Sequence, residues 1–402
     1  MDLSCPFSTS GCQDQRPDMS MSTLNNNDKI IRAWHFGPGG LRGRGGMGRF
    51  LAYLVPALTR DAAQVKCRVV DTYGPGPFWQ MPFWFALAWL RLGWHALCGH
   101  IDLVHIHMAA YGSVFRKLLL LLLARAFGLP VILHLHGADF VEFMDRLRPA
   151  SLRRAVIRTM ASAEQLVVIG NYWRDYFTAT LGIPGQRVTI IHNGVPDPRY
   201  SEPPIAWRTL REGGRLLTLG ELGPRKGTPE LLAALTDPRL RARPWTAVLA
   251  GNGPVEHYRA ELQRMELTDR VQIPGWVERN EAWRLLAESD VFLLPSHMEG
   301  LPVAILEAMA TGLPVITTPV GAIEDAIEDG VTGLLIPVGD TAALSDAILR
   351  LLDDPALGAR LATAARLRFE QQFSIEHTAT QVAALYTRLL TPTGTAPAHG
   401  TS

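Results

Sequence analysis

Ser296-His-Met-Glu299-Gly-Leu-Pro-Val-Ala-Ile-Leu-Glu307-Ala-Met-Ala-Thr-Gly-Leu-Pro314 lies between two short apolar runs, VFLL at 291–294 and VITT at 315–318. Apolar run, glycine- and proline-bearing loop, apolar helical stretch and second apolar run together make one strand–helix–strand unit of a parallel α/β sheet. Pro302 suits the first helical turn, where its missing N–H costs nothing. The loop that carries Glu299 follows the carboxyl end of a strand, which is where open α/β sheets bind ligands. Glu307 falls about one and a half turns into the helix, within reach of a polar group such as a ribose. Two carboxylates in so apolar a frame read as site residues rather than as solvated surface charges.

Outward from this unit the same alternation continues in both directions. Toward the N-terminus the strand candidates are KIIRAWHF (29–36), CRVVDTY (67–73), DLVHIHM (102–108), VILHLH (131–136), EQLVVIG (164–170) and VTIIHNG (188–194). Nearer the quoted stretch they are RLLTLG (215–220), TAVLAG (246–251), VQIPG (271–275), VFLLPS (291–296), PVITT (314–318) and GLLIP (333–337). Two series of similar size, parted by the proline- and charge-rich segment 196–214, predict two facing Rossmann-like α/β domains. The expected organisation is a disordered leader over 1–28, a first domain over 29–200, a linker over 201–212, a second domain over 213–375 and a disordered tail over 391–402. Met19 and Met21 offer alternative starts after the polar leader, which lacks the apolar core of a secretory signal.

The chain has 402 residues with a formal net charge of +1 and 47% hydrophobic residues, which excludes a disordered or collagen-like chain. Its four cysteines, Cys5, Cys12, Cys67 and Cys98, form no CxxC pair, which argues against structural zinc and a disulfide framework. The near-zero charge hides an asymmetry. Residues 29–200 carry 20 Lys and Arg against 9 Asp and Glu, whereas 201–402 carry 18 against 25. A basic first half suggests an anionic partner, and an anionic membrane surface is the one expected here in preference to nucleic acid.

Two stretches bear on a membrane. Leu118 to Leu135 is broken by Arg125 and by Gly128-Leu129-Pro130, so it reads as a helix followed by a strand, not a span. Phe78 to Trp94 carries four tryptophans and three phenylalanines with Arg91 as its one charge. Core packing and an interfacial apolar face both fit it. Arg153, Arg154 and Arg158 stand at helical spacing in a run that also holds Arg146 and Arg148, and they are candidate contacts to an anionic leaflet.

Gly43-Arg-Gly45-Gly46-Met-Gly48 fits GxGxxG before a helix, but the strand ahead of it ends near Phe36, too early for a tight dinucleotide-binding turn. Bare backbone N–H groups at a helix start still suit a diphosphate. With His134-Leu-His136-Gly-Ala-Asp-Phe, His192-Asn-Gly-Val, Gly220-Glu-Leu-Gly-Pro-Arg-Lys226-Gly, Gly251-Asn-Gly-Pro and Gly275-Trp-Val, the set falls in one order along the chain. Glu299 to Glu307 matches the EX7E motif, and over about 29–390 the chain resembles the retaining glycosyltransferases of family 4, which have the GT-B fold. Ser113-Val-Phe-Arg116-Lys117 and HLHGADF are most similar to bacterial exopolysaccharide-type members.

The resemblance implies a fold and a set of roles. The fold is GT-B, α/β, with two facing Rossmann-like domains and a helix near 376–390 that crosses back from the second domain to the first. Glu307 would hydrogen-bond the donor ribose, and Lys226 would neutralise the donor diphosphate, with N–H donors from Gly45, Gly46 and the helix start at Val303. Glu299 and His136 would flank the transferred sugar, with backbone near Leu301 fixing its hydroxyls, and Trp276 and Val277 would line the base pocket. Relatives have an arginine directly after Gly220, where this chain has Glu221, so Arg225 is the cation expected to take its place. The activity implied is transfer of a hexose, with retention, from a UDP-, GDP- or ADP-sugar to a saccharide or polyprenyl-diphosphate-linked acceptor. No catalytic metal is expected. The implied location is cytoplasmic, peripheral to the inner face of the membrane.

His105-x-His107 and His134-x-His136 place pairs of rings on one face of a strand, a spacing that can chelate a metal. No cysteine or acidic cluster accompanies them, so buried or active-site histidines are the expected reading. Two other functions stand beside glycosyl transfer. A non-hydrolysing nucleotide-sugar epimerase shares the fold and needs no acceptor, and a nicotinamide-dependent dehydrogenase would use the GxGxxG but leaves EX7E unexplained.

Overall fold

A computed structural model describes residues 30–43, 45–61, 64–200 and 214–391. The expected leader, the linker over 201–212 and the tail from 392 onward lie outside the described residues. In the first half, β1 (Ile31–Gly37), β2 (Val65–Asp71), β3 (Leu103–Met108), β4 (Val131–Leu135), β5 (Gln165–Val168) and β6 (Val188–Ile190) form one sheet. Helices α1 (Gly46–Asp61), α2 (Met81–Leu97), α3 (Gly112–Ala126), α4 (Phe140–Arg146), α5 (Ala150–Met160) and α6 (Asn171–Asp175) connect these strands. The second sheet holds β7 (Gly214–Leu219), β8 (Trp245–Ala250), β9 (Val271–Gly275), β10 (Val291–Leu294), β11 (Val315–Thr317) and β12 (Leu334–Leu335). Its helices are α7 (Thr228–Leu235), α8 (Pro238–Arg241), α9 (Val255–Arg264), α10 (Arg279–Glu288), α11 (Val303–Ala310), α12 (Ile323–Ala326), α13 (Thr341–Asp353), α14 (Pro355–Gln372) and α15 (Ile375–Leu390).

Each of the twelve strand candidates is a strand, and every pairing is parallel. The strand orders are β2-β1-β3-β4-β5-β6 and β12-β11-β10-β7-β8-β9. In each sheet the winding reverses beside the first strand, between β1 and β3 and between β7 and β10. Parallel α/β sheets open a crevice at the carboxyl ends of such strands. The loops after β1, β3, β7 and β10 therefore face one another across the molecule.

The two halves share a core. One apolar cluster runs from the first sheet through α11 and α12 to Phe369, Phe373 and Tyr386 of the C-terminal helices, and a second cluster fills the far side of the second sheet. Ser374 caps α15 by accepting from the N–H of His377, and the helix then packs against α1. A helix that starts at the second half and lies on the first is the crossing-back element of the GT-B fold.

On the opposite face of the first sheet, α2, α3 and α5 lie side by side. Only Ala88 and Leu92 of α2 are buried, so this helix is not a core element despite its composition. Phe78, Trp94 and Leu97 are 76%, 65% and 72% exposed, and Trp79, Phe83 and Leu90 are exposed beside them. On α5, Arg154 and Arg158 are exposed, while Arg153 is half-buried.

Candidate active site

A cleft of about 470 Å³ lies between the halves and is lined from both. Gly45, Gly46, Met47 and Arg49 reach it after β1, and His136, Ala138 and Asp139 after β4. Glu221, Arg225 and Lys226 come from the loop after β7, Trp276 and Val277 from the loop after β9, and Glu299 to Ala304 from the loop into α11 and its first residues. Close backbone approach makes this possible. A Cβ on Gly251 would stand 1.5 Å from the Gly220 carbonyl oxygen, and one on Gly300 would press on Ile169 and the His136 carbonyl. The loop Gly43–Gly48 folds back on itself, and α1 begins at Gly46 with no acidic residue in its first turn. Pro302 is the N-cap of α11, so the helix points its N-terminal N–H groups, from Val303 on, at the cleft.

Lys226 and Glu299 are joined as an ion pair, and Ser296 donates to the same carboxylate oxygen at 2.7 Å. The cation expected at the diphosphate and the carboxylate expected at the sugar are thus partners of each other. Arg225 also enters the cleft, where its guanidinium donates to Glu221 at 3.3 Å and to the Met298 carbonyl at 3.4 Å. Glu221, at the position where the resemblance implies an arginine, therefore engages the residue expected to stand in for it. The Leu301 carbonyl accepts from Asn193 at 2.8 Å, which ties the HNG segment of the first half to the loop of the second.

Glu307 departs from expectation. It is buried, it is not among the residues lining the cleft, and both of its oxygens are engaged by α1. Arg49 donates to Oε2 and Tyr53 to Oε1, each at 2.8 Å. The reason is the helix that carries it: VAILEAMA is apolar and buried on nearly every side, so its one carboxylate needs partners from the neighbouring half. The sequence reading named neither Arg49 nor Tyr53. Their spacing of four on a helix, next to the glycine loop, was the available signal.

His136 lines the cleft, and behind it the histidines of β1, β3 and β4 form a buried group. His35, His105, His107 and His134 are fully buried. Burial holds His35 and His136 at about 3, and it holds His105, His107 and His134 well below the ordinary imidazole range, with neighbouring imidazoles adding to the effect. Ring nitrogens of His35, His105 and His107, and of His107, His134 and His136, come within 4.8 Å of one another. His35 and Tyr386, which join this group, were not named from the sequence.

Comparison with known proteins agrees with the geometry. The family model described as Glycosyltransferase Family 4 matches residues 44–199, and the one described as Glycosyl transferases group 1 matches 213–354. The chain is 30% identical to the glycogen synthase of Mycobacterium tuberculosis over 294 residues, 71% of this chain and 68% of that one. It is 29% identical to the amylovoran biosynthesis glycosyltransferase AmsK of Erwinia amylovora over 296 residues, 72% of this chain and 70% of that one. The structure of Anabaena Alr3699/HepE in complex with UDP-glucose superposes with a TM-score of 0.68 at 19% identity, over 89% of this chain and 100% of that one. With its two parallel sheets, its crossing-back helix and its EX7E loop at the cleft, the chain belongs to glycosyltransferase family 4 and is a glycosyltransferase of the GT-B fold.

Proposed function

We propose that the enzyme transfers a hexose from a nucleoside diphosphate sugar, with retention of configuration, to a saccharide acceptor on a polyprenyl diphosphate during polysaccharide synthesis. The observation that carries this reading is the meeting, in one cleft, of Lys226, Arg225 and the start of α11 with Glu299 and His136. The donor diphosphate takes the place of Glu299 at Lys226. Lys226, Arg225 and the N–H groups of Gly46 and Val303 then take up charge as the diphosphate departs. Trp276 and Val277 face the base, and Glu307 meets the ribose once Arg49 and Tyr53 release it. Glu299 still accepts from Ser296 once the diphosphate has taken Lys226, and this favours front-side displacement through an oxocarbenium-like state over attack by Glu299. The cationic residues supply the charge that a metal would otherwise supply, so no catalytic metal is assigned.

A neighbouring cavity of about 550 Å³ shares Glu299 with the cleft and is lined by Tyr172, Trp173, Asp145, Glu324 and the Glu142–Arg146 ion pair. Aromatic faces and carboxylates suit sugar hydroxyls, and the carboxylates would repel a diphosphate. We therefore assign the acceptor's saccharide to this cavity and its carrier diphosphate to the outside. The names of AmsK as an amylovoran biosynthesis enzyme and of HepE as a complex with UDP-glucose support the pathway class and the donor class. No helix among the described residues is long and apolar enough to cross a membrane. The exposed apolar side of α2, in one layer with Arg154 and Arg158 of α5, supports peripheral docking on an anionic membrane from the cytoplasmic side, with no nucleic-acid partner.

The test is incubation with UDP-, GDP- and ADP-sugars, with and without lipid-linked saccharide, followed by NMR of the product's anomeric centre. Free nucleotide diphosphate that depends on acceptor, with the donor's anomeric configuration kept, supports the proposal. Inverted product defeats retention. Conversion of the donor to another sugar without acceptor means an epimerase.

A further inference from the structure

Five imidazoles and one phenol form a single file behind the cleft. His136 Nε2 lies 3.0 Å from His107 Nδ1, and His107 Nε2 lies 3.0 Å from His35 Nδ1. His35 Nε2 lies 3.1 Å from the Tyr386 hydroxyl, which lies 2.7 Å from His105 Nδ1, and His105 Nε2 lies 3.1 Å from His134 Nδ1. His134 Nε2, at the end, is buried without a partner. The file is built from β1, β3 and β4, which are neighbours in the sheet, and is bridged by the crossing-back helix α15.

A neutral imidazole has one N–H and one lone pair, so a ring that donates at one nitrogen must accept at the other. Direction is therefore inherited from ring to ring, and only two orders keep every bond while giving the Tyr386 proton an acceptor; the third, with His35 and His105 both donating to the Tyr386 oxygen, buries that O–H unpaired. In one, all protons point away from the cleft, every histidine is the Nε2–H tautomer, and His134 buries an unpaired N–H. In the other, all point toward the cleft, every histidine is the Nδ1–H tautomer, and His134 buries only an unpaired lone pair. Orphaned N–H groups are the costlier of the two, so the second order is favoured. Protonation does not blur the choice, because burial keeps all five rings neutral at physiological pH. The file has one open end and one blind end, so it orders a proton without conducting one through. A metal fits the arrangement less well. It would need lone pairs of three rings aimed at one point, whereas here successive nitrogens are aimed at the next ring.

We infer that His107, His35, Tyr386, His105 and His134 are positioning residues that fix His136 as a neutral Nδ1–H donor toward an oxygen of the transferred sugar. The inference rests on the reading that His136 flanks that sugar. Since Tyr386 lies on α15, the docking of the C-terminal helix is part of what sets the proton order at the cleft.

The order is measured on the full chain labelled with 15N-histidine, with each ring assigned by substitution. The expected spectrum shows all five rings of the file, His136 among them, as Nδ1–H tautomers from pH 8 to pH 6. Nε2–H or imidazolium at His136 in that range overturns the inference, as does a divalent metal held one per chain by the purified protein. Kinetics give a second reading. Asparagine places an amide where His107 has Nδ1, and leucine places nothing polar there. His107→Leu should lose about tenfold in kcat, the effect of a modest misplacement, with nucleotide diphosphate affinity unchanged. His107→Asn should recover most of it, and equal losses in the two variants overturn the inference. His136→Ala separates the two readings: full turnover in that variant removes the sugar-site assignment, while the tautomer spectrum of the unaltered chain still decides the proton order.

Discussion

Glu307 on α11 accepts from Tyr53 on α1 at 2.8 Å, and Arg49, one turn earlier on α1, holds its other oxygen at the same distance. The residue implied to meet the donor ribose is thus a tie between the two halves. Burial pushes the Glu307 carboxyl up from its ordinary range, and the Arg49 charge and the Tyr53 hydroxyl act against that. α1 also starts at the glycine loop and packs on α15. One helix therefore touches the glycine loop, the Glu307 carboxylate and the crossing-back helix, and a nucleotide that claimed Glu307 would have to loosen that contact.

On the proposed role of Glu307, a ribose hydroxyl would compete with the Tyr53 hydroxyl for its carboxylate. Removing the competitor in Tyr53→Phe deletes one hydrogen bond worth about 1 kcal/mol, so nucleotide diphosphate affinity should rise about fivefold. Glu307→Ala should lower it. Calorimetry with UDP, GDP and ADP reads both, and weaker or unchanged binding by Tyr53→Phe would show that ribose and Tyr53 do not share Glu307.

Lys226 and Glu299 neutralise each other, and their removal should have opposite effects on the donor. Lys226→Ala deletes a charge-assisted contact to the diphosphate, worth about 1.5–3 kcal/mol, so affinity should fall at least about tenfold. Glu299→Ala frees Lys226, so nucleotide diphosphate affinity should hold or rise while kcat falls about a hundredfold. Parallel losses of affinity in the two variants would remove Glu299 from the sugar side of the cleft.

Local pattern carried most of the fold, and non-local pairing carried what the pattern missed. The twelve strands and the helix Ile375–Leu390 announce themselves through short β-branched runs, apolar periodicity and glycine or proline stops. For α2 the sequence left two readings open, because tryptophans and phenylalanines look alike whether they face a core or solvent. Only the position of α2 beside α3, at the β2 edge of the first sheet, decides it. Glu307 was placed correctly on its helix but assigned an open side, since nothing local tells which residues of the other half stand opposite. The histidines show the same limit. Alternation put His105 with His107 and His134 with His136, but His35 and Tyr386 join them through sheet order and helix docking across hundreds of residues.

The histidine file should make the protein sensitive to mild acid. Its five folded-state values are depressed, so the unfolded chain, with values near 6.5, binds more protons as pH falls. Stability present above about pH 6.5 is then lost on going down, at about 1.4 kcal/mol per pH unit for each histidine and about 7 for the five as an upper bound. Against a usual total of about 5–15 kcal/mol, that places cooperative unfolding near pH 5. Urea midpoints followed by tryptophan fluorescence between pH 8 and pH 4.5 measure the slope. A flat profile across that range would mean that the rings charge in place.

Docking on a membrane should have two separable parts, because the apolar and the basic groups sit on different helices of one layer. On α2 the exposed Phe83, Leu90 and Trp94 offer interfacial burial, and on α5 Arg154 and Arg158 offer charge. Each basic side chain near an anionic leaflet contributes about 1 kcal/mol, screened within a Debye length of about 10 Å at 0.1 M salt. Arg153 is half-buried on the same helix, so reversing it should add less than reversing the other two. Vesicles containing about a third phosphatidylglycerol, an anionic fraction of the kind that attracts such basic groups, should sediment the protein at low salt and release part of it at high salt. Arg154→Glu with Arg158→Glu should abolish the salt-sensitive part and leave binding that salt does not alter. Phe83→Ser, Leu90→Ser and Trp94→Ser together should remove that remainder, with Tm checked so that loss of binding is not loss of fold. No sedimentation at low salt, or binding indifferent to both sets of changes, would leave this layer without a membrane role, and the acceptor would then have to reach the cleft as a soluble saccharide.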